Sequence, residues 1–157
     1  DAVLMRTADG MLSLPALPLL VVLAAVDTGR FGLPRGEALS DITRITVILV
    51  VFGWIGVARL ARAAALRELT QDYVAAARVA GATEARVLLR HVLPNIVGPI
   101  TVATALAVAG AILAESTLSF LGLGIQPPAS SWGNMLSNAQ EMVFSAPLVA
   151  VWPGLAI

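Results

Sequence analysis

Residues Ala75–Asn95 read AAARVAGATEARVLLRHVLPN, and long apolar runs lie on either side of them. The stretch carries three arginines (Arg78, Arg86, Arg90), Glu84 and His91, with Gly81 inside it and Pro94 near its end. Just upstream, Leu66, Leu69, Tyr73, Ala76 (with Ala77) and Ala80 recur at three- and four-residue intervals, which makes one apolar face of a helix. Arg67, Glu68, Gln71, Asp72, Ala75 and Arg78 fill much of the remainder. Gly81 supplies the left-handed conformation that ends such a helix. Thr83 is then the N-cap of a second short helix, Glu84–His91, and Pro94 fits the first turn of the apolar helix that follows. The layout is helix, glycine bend, helix, then re-entry into an apolar segment.

The composition shows what this charged segment interrupts. Of 157 residues, 58% are hydrophobic and 13% charged, against about 45–50% and about 25% in soluble domains. Aromatics make up only 5%, and no run alternates as a transmembrane strand would. Helices in lipid are therefore expected. There is no cysteine, so disulfide, zinc-thiolate and thiol chemistry are excluded. All ten basic residues are arginines, balanced by ten acids, and zero net charge argues against nucleic acid as a partner. The chain begins at Asp1 with no basic leader and stops at Ile157 within an apolar run. It is expected to be a piece of a longer protein, with no signal peptide to read.

Four apolar runs stand out: Met11–Val26, Ile45–Ala58 (extendable to Ile42 across Arg44), Val92–Ala114 and Met142–Ile157. A spanning helix needs roughly 20 apolar residues; the third run reaches that alone, the first two with their flanks. Transmembrane helices are expected at about 10–27, 42–59, 92–115 and 142–157. A soluble bundle of short helices is disfavoured, because the polar faces it requires are absent. The segment 59–91 holds six of the ten arginines against three acids, whereas 27–41 has two arginines and three acids, and 115–141 has two glutamates and no base. The positive-inside rule puts 59–91 in the cytoplasm and the other two loops outside. Pro15, Pro18, Pro99, Pro147 and Pro153 lie inside apolar runs, a pattern that membrane bundles tolerate. The Ala103, Ala107, Ala111 row and the Gly53, Gly56 pair read as close helix packing.

Two segments are candidates for function. A bent amphipathic element in 59–91 is suited to docking a cytoplasmic partner. The alternative is a helix lying on headgroups, against which stand Glu68, Asp72, Glu84 and a face made largely of alanine. In the second segment, Glu115 ends the third run beside Ser116, Thr117, Ser119 and Phe120. It reads either as pathway or outer-gate lining or as a solvated helix end. Gly122, Gly124, Pro127 and Pro128 then turn the chain, and Trp132 is an interface anchor.

These residues carry a resemblance. AAxxxG (Ala76, Ala77, Gly81), nine residues, then HVLP (His91–Pro94) resembles the cytoplasmic signature loop of binding-protein-dependent ABC importer permeases. DYVAAARVAGA, RHVLPN, ILAESTLSFLGLGIQPPASSWGNML (Ile112–Leu136) and SAPLVAVWPGLAI (Ser145–Ile157) are similar to the dipeptide, oligopeptide and nickel branch, and within it to the second permease subunit. The resemblance implies an all-α polytopic bundle of the type I importer kind, multi-pass in a bacterial or archaeal inner membrane. It implies that the loop is a coupling helix seated in a groove of an ATPase subunit, with Asp72, Tyr73, Ala76, Ala77, Arg78, Gly81, His91, Leu93 and Pro94 as its residues. The motif's usual opening glutamate falls at position 75, where this chain has Ala75, so Asp72 and Arg78 remain as polar contacts. Also implied are a second permease subunit, two ATPase subunits and an external solute-binding protein. ATP and Mg belong to the partner ATPases, the chain itself having no lysine for a phosphate loop. The solute would be a peptide or similar small solute, that is a dipeptide, an oligopeptide or a nickel complex.

Other classes fit less well. No HExxH or GxSxG motif is present and His91 is the one histidine, which argues against an intramembrane enzyme. An ion-coupled carrier would place charges near mid-membrane, and run three is interrupted only by Asn95 and threonines. A membrane assembly scaffold would not need a bent cytoplasmic lever.

Overall fold

Pro15 shapes the first described elements. In the computed structural model, which describes residues 2–26 and 38–157, α1 (Ala2–Leu12) and α2 (Ala16–Ala25) meet at 88° across Ser13–Pro15. Proline fixes its own φ and disfavours helix in the residue before it, so Leu14 cannot carry α1 forward. The helix expected over 10–27 therefore starts at Ala16. Pro18 sits in the first turn of α2, where its missing N–H costs nothing. The expected external loop 27–41 lies mostly outside the described residues.

Two longer helices follow. α3 (Ala38–Leu69) continues ten residues past the expected end at Arg59. Arg59, Arg62 and Arg67 are good helix formers, and Arg67 in the last turn suits the helix dipole. The charged segment expected to be a loop thus begins as helix. After Thr70 and an extended Gln71 come α4 (Asp72–Val79) and α5 (Glu84–Val87). A π turn, Leu88–Val92, leads into α6 (Leu93–Phe120). The second short helix does not stop at His91; helix runs unbroken from Glu84 to Phe120. Pro94 explains the wide turn. Its ring presses on the carbonyl four residues back and it offers no N–H, and one extra residue per turn relieves both faults. α7 (Trp132–Ala139) and α8 (Leu148–Ala156) complete the order, with a 3-10 turn at Gln140–Met142 between them.

No strand occurs among the described residues. Two helices, Asp41–Leu69 and Glu84–Phe120, are long and apolar enough to cross a membrane, or three if the bent α1–α2 pair is one span. α8 has nine residues, fewer than a span needs. Large apolar side chains on the long helices point outward, Val50 at 64% and Leu106 at 69% exposure. Such faces demand cover by lipid or by other membrane helices.

The chain clusters into two units, each with its own core. The first takes residues 1–52 and 109–157, and buries Leu20, Ala24, Ile45 and Leu118. The second takes residues 53–108, and buries Val74, Val87, Val92 and Ile96 against Ala64, Ala65, Leu69, Ala82 and Ile100. Alanines at 64 and 65 let α4 lie close on α3.

Candidate functional site

In the second unit the structure builds a braced, short helix. Gly81 stands at φ +83°. Its N–H donates to the Arg78 carbonyl at 2.9 Å, and the Ala82 N–H reaches back to the Ala77 carbonyl at 3.0 Å. This pair of bonds is the Schellman ending, and Ala82 then packs on the core. Thr83 caps α5 by accepting from the Arg86 N–H at 3.4 Å, as the sequence suggested. Across the bend, the Arg78 guanidinium grips Glu84 with both arms, at 2.9 and 3.0 Å. Planar two-bond pairing of this kind fixes orientation as well as charge. Glu84 holds the guanidinium proton even more firmly than usual. Arg78 is thus engaged within the chain, and Asp72 is the exposed polar group left at the other end of α4.

Tyr73 joins three elements. Its hydroxyl donates to Glu68 at the end of α3 and accepts from the Asn95 side-chain amide at 3.0 Å. Asn95 also donates to the His91 carbonyl at 2.7 Å, and the Tyr73 and His91 rings lie 6.4 Å apart. Glu68 holds the phenol proton and raises its pKa above the ordinary value. The brace therefore ties α4 to the last turn of α3 and the first turns of α6. The sequence places Tyr73, His91, Leu93 and Pro94 near this element but gives no role to Glu68 or Asn95. Its periodicity also predicts one continuous face over Leu66–Ala80. The break at Thr70–Gln71 re-phases the helix, so Val74 points inward and is fully buried, while Tyr73 is 40% exposed. Burying one valine contributes about 1.5–3 kcal/mol. What faces out is Asp72, Ala75, Ala76 and, at 90% exposure, Val79. A valine pair five residues apart, Val74 and Val79, cannot share one helix face, and that spacing was the signal available in the sequence.

In the first unit the structure gathers Glu115, Ser116 and Ser119. Ser119 Oγ donates to Glu115 Oε1 at 2.6 Å, and Ser116 Oγ lies 3.4 Å from Oε2. Ser119 Oγ in turn accepts the Ile125 N–H at 3.1 Å, and Asn134 donates to the Ile125 carbonyl at 2.6 Å. Ser131 caps α7 through the Asn134 N–H. A second Schellman ending at Gly122 (φ +75°) closes α6, with Leu123 folded back on Leu118. Phe120 is exposed and lines a separate apolar cleft with Leu113, Thr117 and Leu136, so it does not join the carboxylate. Arg44 reads in the sequence only as a break in an apolar run. In the structure it is nearly buried, lies 3.7 Å from buried Asp41, and donates to the Leu123 carbonyl at 3.2 Å. Its spacing of three from Asp41 was the available signal. Among the described residues no three His, Asp or Glu side chains gather as metal ligands.

The model of one protein family, described as the binding-protein-dependent transport system inner membrane component, matches residues 1–157. The chain belongs to this family. As a family member it is 41% identical over 155 residues to the dipeptide transport system permease protein of Escherichia coli, covering 99% of this chain and 48% of that one. It is 39% identical over 154 residues to the di/tripeptide transport system permease protein of Pseudomonas aeruginosa (98% and 47%). With the oligopeptide transport system permease protein of Bacillus subtilis it shares 37% over 138 residues (88% and 42%). The chain spans about half the length of these curated relatives. Membership makes it a multi-pass inner-membrane transport component, and gives the apolar outward faces of α3 and α6 their surroundings.

Proposed function

We propose that this chain forms part of the membrane-spanning permease of an ATP-driven importer for peptides or similar small solutes, and that α4 is where a separate ATPase subunit grips it. The observation that carries the reading is the outer surface of α4. Asp72, Ala75, Ala76 and Val79 face out from a helix whose start is fixed by Tyr73 and whose end is fixed by Gly81 and the Arg78–Glu84 pair. Small side chains allow close approach to a socket, and Val79 supplies an apolar anchor. When the ATPase pair closes on ATP and Mg, it moves α4. The Tyr73 brace passes that displacement to Glu68 on α3 and to Asn95 on α6. The two long helices tilt together, and the pathway opens to one side or the other. A second permease subunit and an external solute-binding protein complete the assembly, with 59–91 in the cytoplasm.

The test uses the complete permease purified with its ATPase subunits, carrying Val79→Asp or Ala76→Asp. Both positions are exposed, so the fold and its melting temperature should stay unchanged. ATPase capture and solute-stimulated hydrolysis should fall at least about tenfold, the effect of about 1.4 kcal/mol. Normal capture and coupling in both variants would sink the reading.

A further inference from the structure

Beside the Glu115 cluster lies a cavity of about 400 Å³, lined by Glu115, Ile125, Ser130, Ser131, Trp132 and Met135. That volume is within the range of small-molecule sites. Its walls are of three kinds. Ile125, Met135 and the Trp132 indole are apolar. Ser130 and Ser131 offer hydroxyls. Glu115 brings a negative charge, positioned by Ser119 at 2.6 Å. Two hydroxyl bonds do not saturate a carboxylate, which has about four acceptor sites. Among the described residues no arginine or histidine lines the cavity, and no base occurs anywhere in 115–141. Among the described residues Glu115 makes no ion pair. The cavity is therefore anionic, and among the described residues no cation answers its charge.

We propose that this cavity is a binding site for the primary ammonium group of an organic solute, with Glu115 as counter-ion and Trp132 as the aromatic wall. A carboxylate accepts an ammonium N–H in a charge-assisted bond, the hydroxyl oxygens of Ser130 and Ser131 are acceptors for the remaining donors, and an indole face adds cation–π attraction. Ile125 and Met135 accommodate the attached carbon chain. Gly133 makes the arrangement attainable. A Cβ there would lie 2.2 Å from the Ser116 carbonyl oxygen, so only glycine brings the start of α7, and Trp132 with it, this close to α6. The site goes beyond the importer reading by naming what part of a solute is held here. It rests on that reading only for the word solute.

The experiment uses the complete permease, with its ATPase subunits, in lipid nanodiscs. The probe is n-butylammonium, with n-butanol as its uncharged counterpart. Trp132 fluorescence is isolated as the difference between wild type and Trp132→Phe. Saturable change with the ammonium and none with the alcohol is expected. Glu115→Gln keeps an acceptor for Ser119 but loses the charge, and should bind about tenfold or more weakly. Met135→Arg, at a 46% exposed position, should do the same with Glu115 intact, which covers the case where Glu115→Gln fails to fold. Equal response to the alcohol, or unchanged affinity in a folded Glu115→Gln or in Met135→Arg, overturns the proposal. Ammonium binding by a preparation that captures no ATPase would uphold the site and overturn the importer reading instead.

Discussion

Gly81 and Gly133 are both required, for different physical reasons, and alanine separates them. At Gly81 a methyl group would meet nothing within 4 Å, yet φ is +83°. Alanine there meets only backbone strain, about 1–2 kcal/mol. At Gly133 the backbone is ordinary, but a Cβ would sit 2.2 Å from the Ser116 oxygen and 2.8 Å from Ser119 Cβ. Backbone cannot rotate away as a side chain would, so α7 must shift, at about 1–3 kcal/mol. Thermal melts of the two variants should rank Gly133→Ala below Gly81→Ala, and Gly81→Asn should recover part of the loss because asparagine tolerates the left-handed region. Arg44 poses a different problem. With its ion pair nearly out of solvent, Arg44→Leu strands the Asp41 carboxylate at about 3–5 kcal/mol. The double change Asp41→Leu with Arg44→Leu should cost less than Arg44→Leu alone. An additive loss in the melts would mean that the two groups are not coupled.

At the scale of elements, α4 depends on a proton. The Tyr73 hydroxyl donates to Glu68 only while protonated, and that bond raises the phenol's pKa above its ordinary value of about 10. The sign follows. A raised pKa means the protonated group is favoured in the folded state, so its contribution is complete below about pH 10 and is lost as pH rises through the higher folded value. Protection of the α4 amides, their exchange rate taken relative to the free-peptide rate at the same pH, should therefore fall in strongly alkaline buffer, and Tyr73→Phe should be poorly protected at every pH with no such step. A Tyr73→Phe protein that keeps the alkaline step would show that another group holds the helix. The same element shows what a sequence makes legible. Gly81 and Thr83 were readable because their roles are local, fixed by residues within three or four positions. The turn of Val74 into the core was not. It follows from an extended Gln71 that no propensity marks, and from the Tyr73–Asn95 bond, 22 residues apart. The π turn at Leu88–Val92 belongs to the same class, since Pro94 signals a boundary but not that the helix will widen and continue.

For the whole molecule, apolar runs and arginine placement made the all-α membrane class legible, because lipid imposes that pattern on every residue. The Glu115 cavity was half legible. The carboxylate stood out at the end of an apolar run, but its partner Trp132 arrives through the Gly122–Ser131 turn, whose path no periodicity records. Orientation rests on the six arginines of 59–91 against their absence from 115–141. The chain has no cysteine, so single cysteines can report sidedness once any in the remainder of the protein are replaced. Val79→Cys at the exposed face of α4 and Ser130→Cys at the cavity rim both fall at accessible positions. In sealed right-side-out vesicles, a membrane-impermeant maleimide should label the Ser130→Cys protein and spare the Val79→Cys protein until detergent is added. Inverted vesicles should give the opposite pattern. Labelling of both from one side would place α4 and the Glu115 cavity on the same face of the membrane. An ATPase could not then grip α4 on the cytoplasmic side while the cavity meets solute outside, and the division of labour between the two units would fall.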